Sequence, residues 1–327
     1  MQKRPLGSTG LTLSAPGLGC MGMSEFYGPT EEAVSLETLN AALDFGYDFL
    51  DTADTYGLGH NEELLGRFLQ RRRDRVVLAT KFGIVRDAAG SRRIDNSPAY
   101  IAAACDASLK RLRVETIDLY YCHRRNPETP LEETIGAMAK LVETGKVGAL
   151  GLSEVSPATL RAAHAIHPIA AVQSEYSLWS RTPEDGMLET CAELGVTFVA
   201  YSPLGRGFLT GAIDPNALSA GDFRKGNPRF QGEALAQNRC LAEALGHFAA
   251  ARGVTAAQVA LAWLVTKAPN VVPIPGTRRA TRLAENAAAM DLALSTAEIA
   301  ELDALFSPIA VAGDRYAAGG RAGIEVM

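Results

Sequence analysis

The sequence predicts a closed (β/α)8 barrel, the TIM-barrel architecture, with an N-terminal β-hairpin before it and extra C-terminal helices after it. A short apolar segment, a loop and an amphipathic segment of helical period follow one another eight times. The apolar segments are almost continuously apolar, as is typical of parallel strands that are buried on both faces. A doubly wound sheet usually stops at about five to seven strands, so eight units favour the closed barrel.

The chain opens with a predicted hairpin over residues 3 to 13, which turns at Gly7-Ser8-Thr9-Gly10. The predicted barrel strands are APGLGC (15–20), FLDTA (49–53), VVLATKF (76–82), IDLYYCH (117–123), VGALGLS (147–153), AAVQSEY (170–176), TFVAYSPL (197–204) and NVVPIPG (270–276). No Gly-x-Gly-x-x-Gly motif follows the first of them, because LGCMGM lacks the third glycine. A Rossmann dinucleotide site is therefore not predicted.

Helices are predicted from amphipathic period together with start and stop signals. They cover 31–45, a segment from 61, 97–112, 131–143, a segment from 156, 186–194, 234–251, 255–267, 279–290 and 296–305. Ser97 and Pro98 are typical of a helix start, and Gly145 is typical of a helix end. No linker or low-complexity segment interrupts the series, so we expect a single domain over residues 1–327.

The composition excludes several classes of function. Hydrophobic residues make up 47% of the chain and charged residues 21%, which is an ordinary globular balance. A formal charge of −5 and a pI near 5.7 argue against nucleic acid or an anionic membrane as the partner. No apolar run approaches the ~20 residues that span a bilayer, and the N-terminus MQKRPLGSTG lacks the centre of a signal peptide. The five cysteines are scattered without a CxxC pair, so we expect a reducing cytoplasm and neither disulfides nor a metal site.

Chemistry concentrates in FLDTADTYGLGHNEELLG, residues 49 to 66, where Asp51, Asp54 and Tyr56 follow a buried strand. The ends of the next two strands contribute Lys81 and His123. The C-terminal ends of barrel strands converge on one face, so these side chains can meet in a proton-transfer site. A phenol needs a nearby cation to serve as an acid at neutral pH. On pattern alone the alternative stays open that Asp51 and Lys81 form a structural pair beside independent loop residues.

The order Asp51, Tyr56, Lys81, His123, together with DTADTYGLGHNEELLG and YYCHRRNP, resembles the aldo-keto reductase superfamily. The likeness runs from the opening hairpin to ENAAAMDLALS, and GLSE and PLGRGFLTG place it nearest the microbial and plant reductases related to potassium-channel β-subunits. The resemblance implies hydride transfer between NADPH and a carbonyl compound. It implies that Tyr56 is the general acid, that Lys81 lowers its pKa, that Asp51 holds Lys81, and that His123 orients the carbonyl.

The resemblance also implies the residues that hold the nicotinamide. Ser153, Glu154 and Gln173 match the positions that grip its carboxamide, and Tyr201 matches the ring that stacks on it. Many relatives have Asn where this chain has Glu154. A carboxylate cannot donate a hydrogen bond to the carboxamide oxygen, so Ser153 is expected to supply that donor.

Two later segments are implied at the phosphates and the adenosine. The loop SPLGRGFLTG, 202–211, would wrap the pyrophosphate, and PIPGTRRATRLAEN would hold the adenosine end. Many relatives have Lys where this chain has Gly276, and Arg278 is expected to compensate. The residues implied in these segments are Ser202, Pro203, Leu204 and Arg206 at the pyrophosphate, Gly276, Thr277, Arg278 and Arg282 near the 2′-phosphate, and Glu285 and Asn286 near the adenine.

The resulting expectation is a cytoplasmic NADPH-dependent reductase of aldehydes or ketones, with a small-molecule carbonyl substrate and neither nucleic acid nor membrane as partner. The rival is a nicotinamide-binding regulatory subunit with slow turnover, and a third possibility is an isomerase of sugar phosphates on the same barrel. The substrate and the oligomeric state stay open. The role of the tail GDRYAAGGRAGIEVM also stays open, because no pattern fixes where it lies.

Overall fold

The computed structural model describes residues 1–87 and 91–325, and its centre is one sheet of eight parallel strands. Neighbours in the sheet follow chain order, as a (β/α)8 barrel requires. The barrel strands are β3 (Leu18–Gly19), β4 (Phe49–Asp51), β5 (Val77–Phe82), β8 (Ile117–Cys122), β9 (Val147–Ser153), β10 (Ile169–Glu175), β11 (Thr197–Tyr201) and β12 (Val271–Pro273). The eight-stranded barrel is thus confirmed.

The two edges of the sheet are joined where β3 meets the segment after β12. Gly19 and Gly276 form a parallel bridge, and the amide of Gly17 donates to the carbonyl of Pro273 at 3.0 Å. A Cβ atom on Gly19 would lie 2.9 Å from the carbonyl oxygen of Ile274, so this closure needs a glycine.

The N-terminal hairpin covers the opposite end of the barrel from the C-terminal strand ends. It consists of β1 (Gln2–Pro5) and β2 (Thr12–Ala15), paired antiparallel. Leu6 and Leu13 are fully buried in the cluster of apolar side chains that fills the barrel. The Thr197 hydroxyl, at the start of β11, donates to the carbonyl of Pro5 at 2.8 Å. The hairpin therefore closes the bottom of the barrel, which leaves the strand C-termini as the open face.

The helices pack outside the sheet and follow the predicted bounds within a few residues. They are α1 (Glu32–Asp44), α2 (His60–Leu69), α3 (Pro98–Leu112), α4 (Leu131–Glu143), α5 (Pro157–Ile166), α6 (Met187–Leu194), α7 (Gly232–Ala251), α8 (Ala256–Lys267), α9 (Ala280–Ala288) and α10 (Thr296–Leu305). The side chain of Ser97 caps α3, and Thr255 with Gln258 forms a capping box on α8. In the described part of the chain, no single helix is long and apolar enough to cross a membrane; α7 and α8 pass that test only together, across a 90° bend.

Two parts of the fold differ from the predicted elements. An antiparallel pair, β6 (Ile84–Arg86) and β7 (Arg92–Ile94), interrupts the connection from β5 to α3. Its strands are three residues long and rich in arginine, so they show no apolar alternation. The strand predicted to reach residue 204 ends at Tyr201, because Ser202 takes a left-handed φ of 50°. The long loop that follows contains four short 3-10 helices: Gly205–Thr210, Pro215–Ala217, Phe223–Gly226 and Pro228–Phe230.

Candidate active site

The C-terminal ends of β4 and β5 bring Asp51 and Lys81 together in a buried ion pair. The Lys81 Nζ lies 2.5 Å from the Asp51 Oδ1, and both side chains are almost fully buried. Lys81 also donates to the backbone carbonyl of Thr52 at 2.7 Å. A buried ammonium is tolerated only when such partners replace its water. The pair fixes the position of a positive charge in the barrel mouth.

Tyr56 and His123 reach the same place from the turn after β4 and the end of β8. The Lys81 Nζ is 5.2 Å from the centroid of the Tyr56 ring. The rings of Tyr56 and His123 lie 5.9 Å apart and almost perpendicular, at 86°. The four side chains predicted to form the catalytic group thus lie together.

The protonation of these groups is governed by burial. Burial and then the Asp51 carboxylate raise the pKa of Tyr56 well above 10, so the phenol carries its proton. This shift is opposite to the lowering predicted from the charge of Lys81. Burial lowers the pKa of Lys81 against the opposing pull of Asp51. Burial, with Arg124 and Lys81 next, lowers the pKa of His123 well below 6.5, so the imidazole is neutral.

The neutral imidazole of His123 keeps a polar atom unused. Its Nδ1 is buried and has no hydrogen-bond partner within residues 1–87 and 91–325. A buried polar atom without a partner costs free energy, and a catalytic role or a bound ion or water is among the explanations for such an atom. The site therefore contains a protonated phenol and a neutral imidazole with an unpaired ring nitrogen, and the centroids of the two rings are 5.9 Å apart.

Ser153 and Gln173, predicted to grip a carboxamide, lie opposite one another on β9 and β10. Gln173 donates from Nε2 to the second Asp51 oxygen at 2.7 Å, which joins it to the catalytic pair. The hydroxyl of Ser153 accepts from Arg124 at 3.2 Å. Both predicted cofactor residues thus border the catalytic group, and in this structure each has a protein partner.

Glu154 follows Ser153 in a left-handed conformation, with φ of 55°, and its side chain is completely buried. Its Oε1 accepts from the Tyr201 hydroxyl at 2.7 Å, and Arg315 donates to both of its oxygens, at 3.2 and 2.8 Å. Burial raises the pKa of Glu154, but Arg315 and Arg124 outweigh that effect and bring it below its ordinary value. The carboxylate is therefore ionised, and Tyr201 is tied to it.

The loop after β11 places Arg206 against the protein rather than in the open cleft. Its Nη2 donates to the Glu175 carboxylate at 2.9 Å, and its Nη1 donates to the carbonyl of Arg315 at 2.7 Å. The amides of Gly205 and Gly207 donate to carbonyls of the same loop. The donors predicted for a pyrophosphate are thus engaged in this structure. Of the other residues predicted here, Pro203 is buried, and Ser202 and Leu204 are half-buried.

The start of α9 has the chemistry of an anion site. No side chain caps the helix at Arg279, and its first turn contains no acidic residue, so the amides of its first two residues stay available, while that of Arg282 donates to the carbonyl of Arg279 at 3.0 Å. Arg282 lies in the first turn, half-exposed, and pairs with Glu285 at 2.5 Å. The predicted residues Gly276, Thr277 and Arg278 precede this start, and Asn286, farther along the helix, is buried. This donor set fits a phosphate group.

Arg278, predicted near the 2′-phosphate, is bonded to the protein in this structure. Its guanidinium donates to the backbone carbonyls of Tyr27, Gly28 and Pro29, the shortest contact being 2.6 Å. It thereby ties the loop after β3 to the start of α9. The predicted compensation for the absent Lys at Gly276 would require these bonds to be shared or broken.

Four residues of the site were not predicted from the sequence: Arg124, Glu175, Arg315 and Tyr316. Arg124 is buried beside His123 in the segment YYCHRRNP, where its position directly after the catalytic histidine was an available signal. Glu175 was available as the one charged residue in the predicted strand AAVQSEY. Arg315 and Tyr316 lie in the tail and carried no signal, because their side-chain hydrogen bonds to Glu154 and Tyr201 reach 161 and 115 positions back along the chain.

A cleft of about 300 Å³ lies outside the barrel, between the turn after β4 and α3. Asp54 lines it and accepts from the Tyr100 hydroxyl at 3.4 Å, while its other oxygen is buried without a partner among the described residues. Burial, followed by the charge of Glu62, raises the pKa of Asp54 to about 8. Asp54 is thus a protonated carboxyl next to the catalytic group rather than a member of it.

The open end of the barrel thus brings a phenol, a lysine, a carboxylate and a histidine together. The chain belongs to the aldo/keto reductase family, whose family model matches residues 17–306. It is similar to a glycerol dehydrogenase from Gluconobacter oxydans, at 29% identity and a TM-score of 0.84 over 94% of this chain and 96% of that one. It is also similar to an aldo/keto reductase from Klebsiella pneumoniae solved with NADP and acetate, at 30% identity and a TM-score of 0.74 over 97% and 99% of the two chains. A thermostable aldo-keto reductase solved with the inhibitor epalrestat is 35% identical, with a TM-score of 0.74 over 93% of this chain and all of that one.

Proposed function

We propose that this protein reduces aldehydes or ketones to alcohols with NADPH, and that Tyr56, Lys81, Asp51 and His123 are its catalytic residues. The observation that carries the proposal is the buried Asp51–Lys81 pair beneath the Tyr56 ring, with His123 perpendicular to that ring. A bound nicotinamide would supply the hydride, and the protein would supply the proton and the geometry.

Tyr56 is the proton donor in this proposal. When hydride adds to the carbonyl carbon, the C=O π electrons move to oxygen, and the phenolic proton transfers to that oxygen to complete the alcohol. The phenolate left behind lies beside the Lys81 ammonium, which stabilises it until water returns a proton. The protonated resting phenol suits this direction of transfer.

His123 orients the substrate. A neutral imidazole has one N–H donor, and the unpaired ring nitrogen of His123 lies in the catalytic group. A hydrogen bond from the ring to the carbonyl oxygen would align that oxygen with Tyr56 and polarise the carbonyl. Asp51 and the carbonyl of Thr52 hold Lys81 in place throughout.

NADPH is favoured over NADH by the start of α9. Uncapped amides and Arg282 offer donors and positive charge to a 2′-phosphate. Ser153, Gln173 and Tyr201 lie at adjacent strand ends beside the catalytic group, where a nicotinamide ring would be needed. The similar protein from Klebsiella pneumoniae was solved with NADP, which supports the same cofactor here.

The test is Tyr56→Phe, measured by NADPH oxidation with a simple aldehyde. We expect kcat to fall by roughly 10²-fold or more, the scale of general acid catalysis, while the Kd for NADPH stays near the wild-type value. Tyr100→Phe removes a phenol that donates to Asp54 outside the barrel and should leave turnover unchanged. Wild-type turnover in Tyr56→Phe would exclude the assignment. Tight NADPH binding without steady turnover in the wild type would instead favour a regulatory nicotinamide-binding subunit.

A further inference from the structure

The carboxylate of Glu154 is held by four donors of the protein itself. Besides the Tyr201 hydroxyl and the two Arg315 nitrogens, the backbone amide of Glu175 donates to it at 3.0 Å. Three of these donors share Oε1, and the second Arg315 nitrogen binds Oε2. The Glu154 side chain is fully buried in this arrangement, and its contacts run to β10, β11 and the C-terminal tail.

Arg315 is itself held in place by the long loop and α7. Its backbone carbonyl accepts from Arg206 at 2.7 Å and from Asn227 at 2.8 Å. Three residues earlier, the amide and carbonyl of Ala312 both bond to the side chain of Asn238. The backbone of Arg315 is thus held by the long loop, and the backbone three residues before it is held by α7.

The next residue, Tyr316, extends the same contact to Tyr201. The two hydroxyl oxygens are 2.9 Å apart, and the Arg206 guanidinium lies 4.5 Å from the centre of the Tyr316 ring. Further along, the amide of Glu325 donates to the backbone carbonyl of Glu154 at 2.9 Å. The tail segment 312–325 therefore contacts Glu154 from two points and Tyr201 from one.

We propose that Arg315 is a positioning residue of the nicotinamide site: its pairing with Glu154 fixes the Tyr201 ring and seats segment 312–325 across the barrel mouth. The inference rests on the proposed function, because it assumes that Tyr201 stacks on a nicotinamide. It assigns Glu154 to holding Tyr201 and segment 312–325 rather than to binding the nicotinamide carboxamide. Ser153 and Gln173 are left to bind the carboxamide.

The physical reason is the position of the charge. Glu154 is fully buried, and without Arg315 its remaining hydrogen-bond donors are neutral, while the charge of Arg124 acts on it without a hydrogen bond. A buried carboxylate that loses its cation is destabilised until it takes up a proton or moves toward water. Either change disturbs the hydrogen bond from Tyr201, so the ring loses its fixed orientation. If Glu154 is replaced by the neutral Gln in the same variant, no unpaired charge remains to disturb Tyr201.

The experiment compares Arg315→Ala with the double variant Glu154→Gln/Arg315→Ala in the full chain. Arg321→Ala is the matched control, because Arg321 is an exposed arginine of the same tail that pairs with Asp314. The Kd values for NADPH and for adenosine 2′,5′-bisphosphate are measured by calorimetry, and the Tm of the ligand-free protein by circular dichroism. The bisphosphate probe contains only the adenosine end of the cofactor.

For Arg315→Ala we expect the Kd for NADPH to rise by roughly tenfold or more, with the Kd for the bisphosphate unchanged and the Tm lowered. The double variant should recover most of both losses, and the control should match the wild type. If Arg315→Ala raises the Kd values for NADPH and for the bisphosphate equally, Arg315 supports the fold generally and the inference is overturned. A double variant that binds NADPH no better than Arg315→Ala would also overturn it. If the wild type binds NADPH no more tightly than the bisphosphate, the nicotinamide half adds no affinity, and the proposed function fails instead.

Discussion

The two sides of the barrel mouth neutralise buried charge by different means. On the catalytic side, Asp51 and Lys81 come from neighbouring strands only 30 residues apart, and their strand ends alone bring them together. On the opposite side, Glu154 takes its cation from Arg315, 161 residues later in the chain. The first pair is a property of the barrel itself, whereas the second depends on where the tail runs. The pair proposed to be catalytic is thus built into the scaffold, whereas the cation of Glu154 is added by the tail.

Breaking the catalytic pair should have the largest effect. Lys81→Met leaves the Asp51 carboxylate buried with Gln173 as its remaining side-chain donor, and we expect a loss of about 3–5 kcal/mol in the free energy of unfolding. Turnover should fall with it, because the phenolate of Tyr56 loses its stabilising cation. Urea denaturation and NADPH oxidation measure the two losses.

Asp51→Asn/Lys81→Met tests whether the loss comes from the unpaired charge. This double variant has no ion to leave unpaired and should recover much of the stability, though not the turnover. Lys140→Ala breaks an exposed pair with Glu143 on α4 and should not change the stability measurably. If the single and double variants are equally unstable, the comparison between the two sides loses its energetic basis.

Asp54 sharpens the comparison, because it lies three residues from Asp51 and has no cation at hydrogen-bond distance in the described structure. Its pKa is raised from 3.8 to about 8, so the folded protein binds a proton that the unfolded chain releases. Stability from this group is present below pH 3.8 and is lost as pH rises toward 8. Asp54→Asn should therefore match the wild type near pH 4 and exceed it at pH 8, by about 2 kcal/mol or more. Urea denaturation at the two pH values measures this, and parallel curves for both proteins would contradict the raised pKa.

The sequence was sufficient for the parts of the molecule that periodicity and strand ends determine. Eight apolar segments identified the barrel, and polar residues at strand ends identified Asp51, Lys81 and His123. The order of strands in a closed barrel then required them to meet. The β6–β7 pair was missed because three-residue strands bearing arginine resemble a polar loop.

The partners of the side chains predicted to bind the cofactor could not be predicted in the same way. Arg206 was expected to face a phosphate, and in the structure it faces Glu175 and the carbonyl of Arg315. Nothing local distinguishes an arginine that binds a ligand from one that binds a distant segment of its own chain. The tail has no periodicity, so its contacts with Glu154 and Tyr201 depend on tertiary structure alone.

The smallest expected effect concerns the outermost part of the cofactor side, where Arg282 is 41% exposed and pairs with Glu285. A 2′-phosphate carries about two negative charges that NADH lacks, and a charge-assisted hydrogen bond contributes roughly 1.5–3 kcal/mol before solvent screening reduces it. The absence of a Lys at Gly276 and the engagement of Arg278 with three carbonyls leave Arg282 as the main side-chain donor predicted for this group. Arg282→Ala should therefore raise the KM for NADPH by roughly fivefold to tenfold and leave the KM for NADH almost unchanged. Arg161→Ala, which breaks a comparably exposed pair between α5 and Glu193 of α6, should alter neither value. Equal weakening of both cofactors would show that Arg282 supports α9 through Glu285 instead, and the preference for NADPH would then need another source.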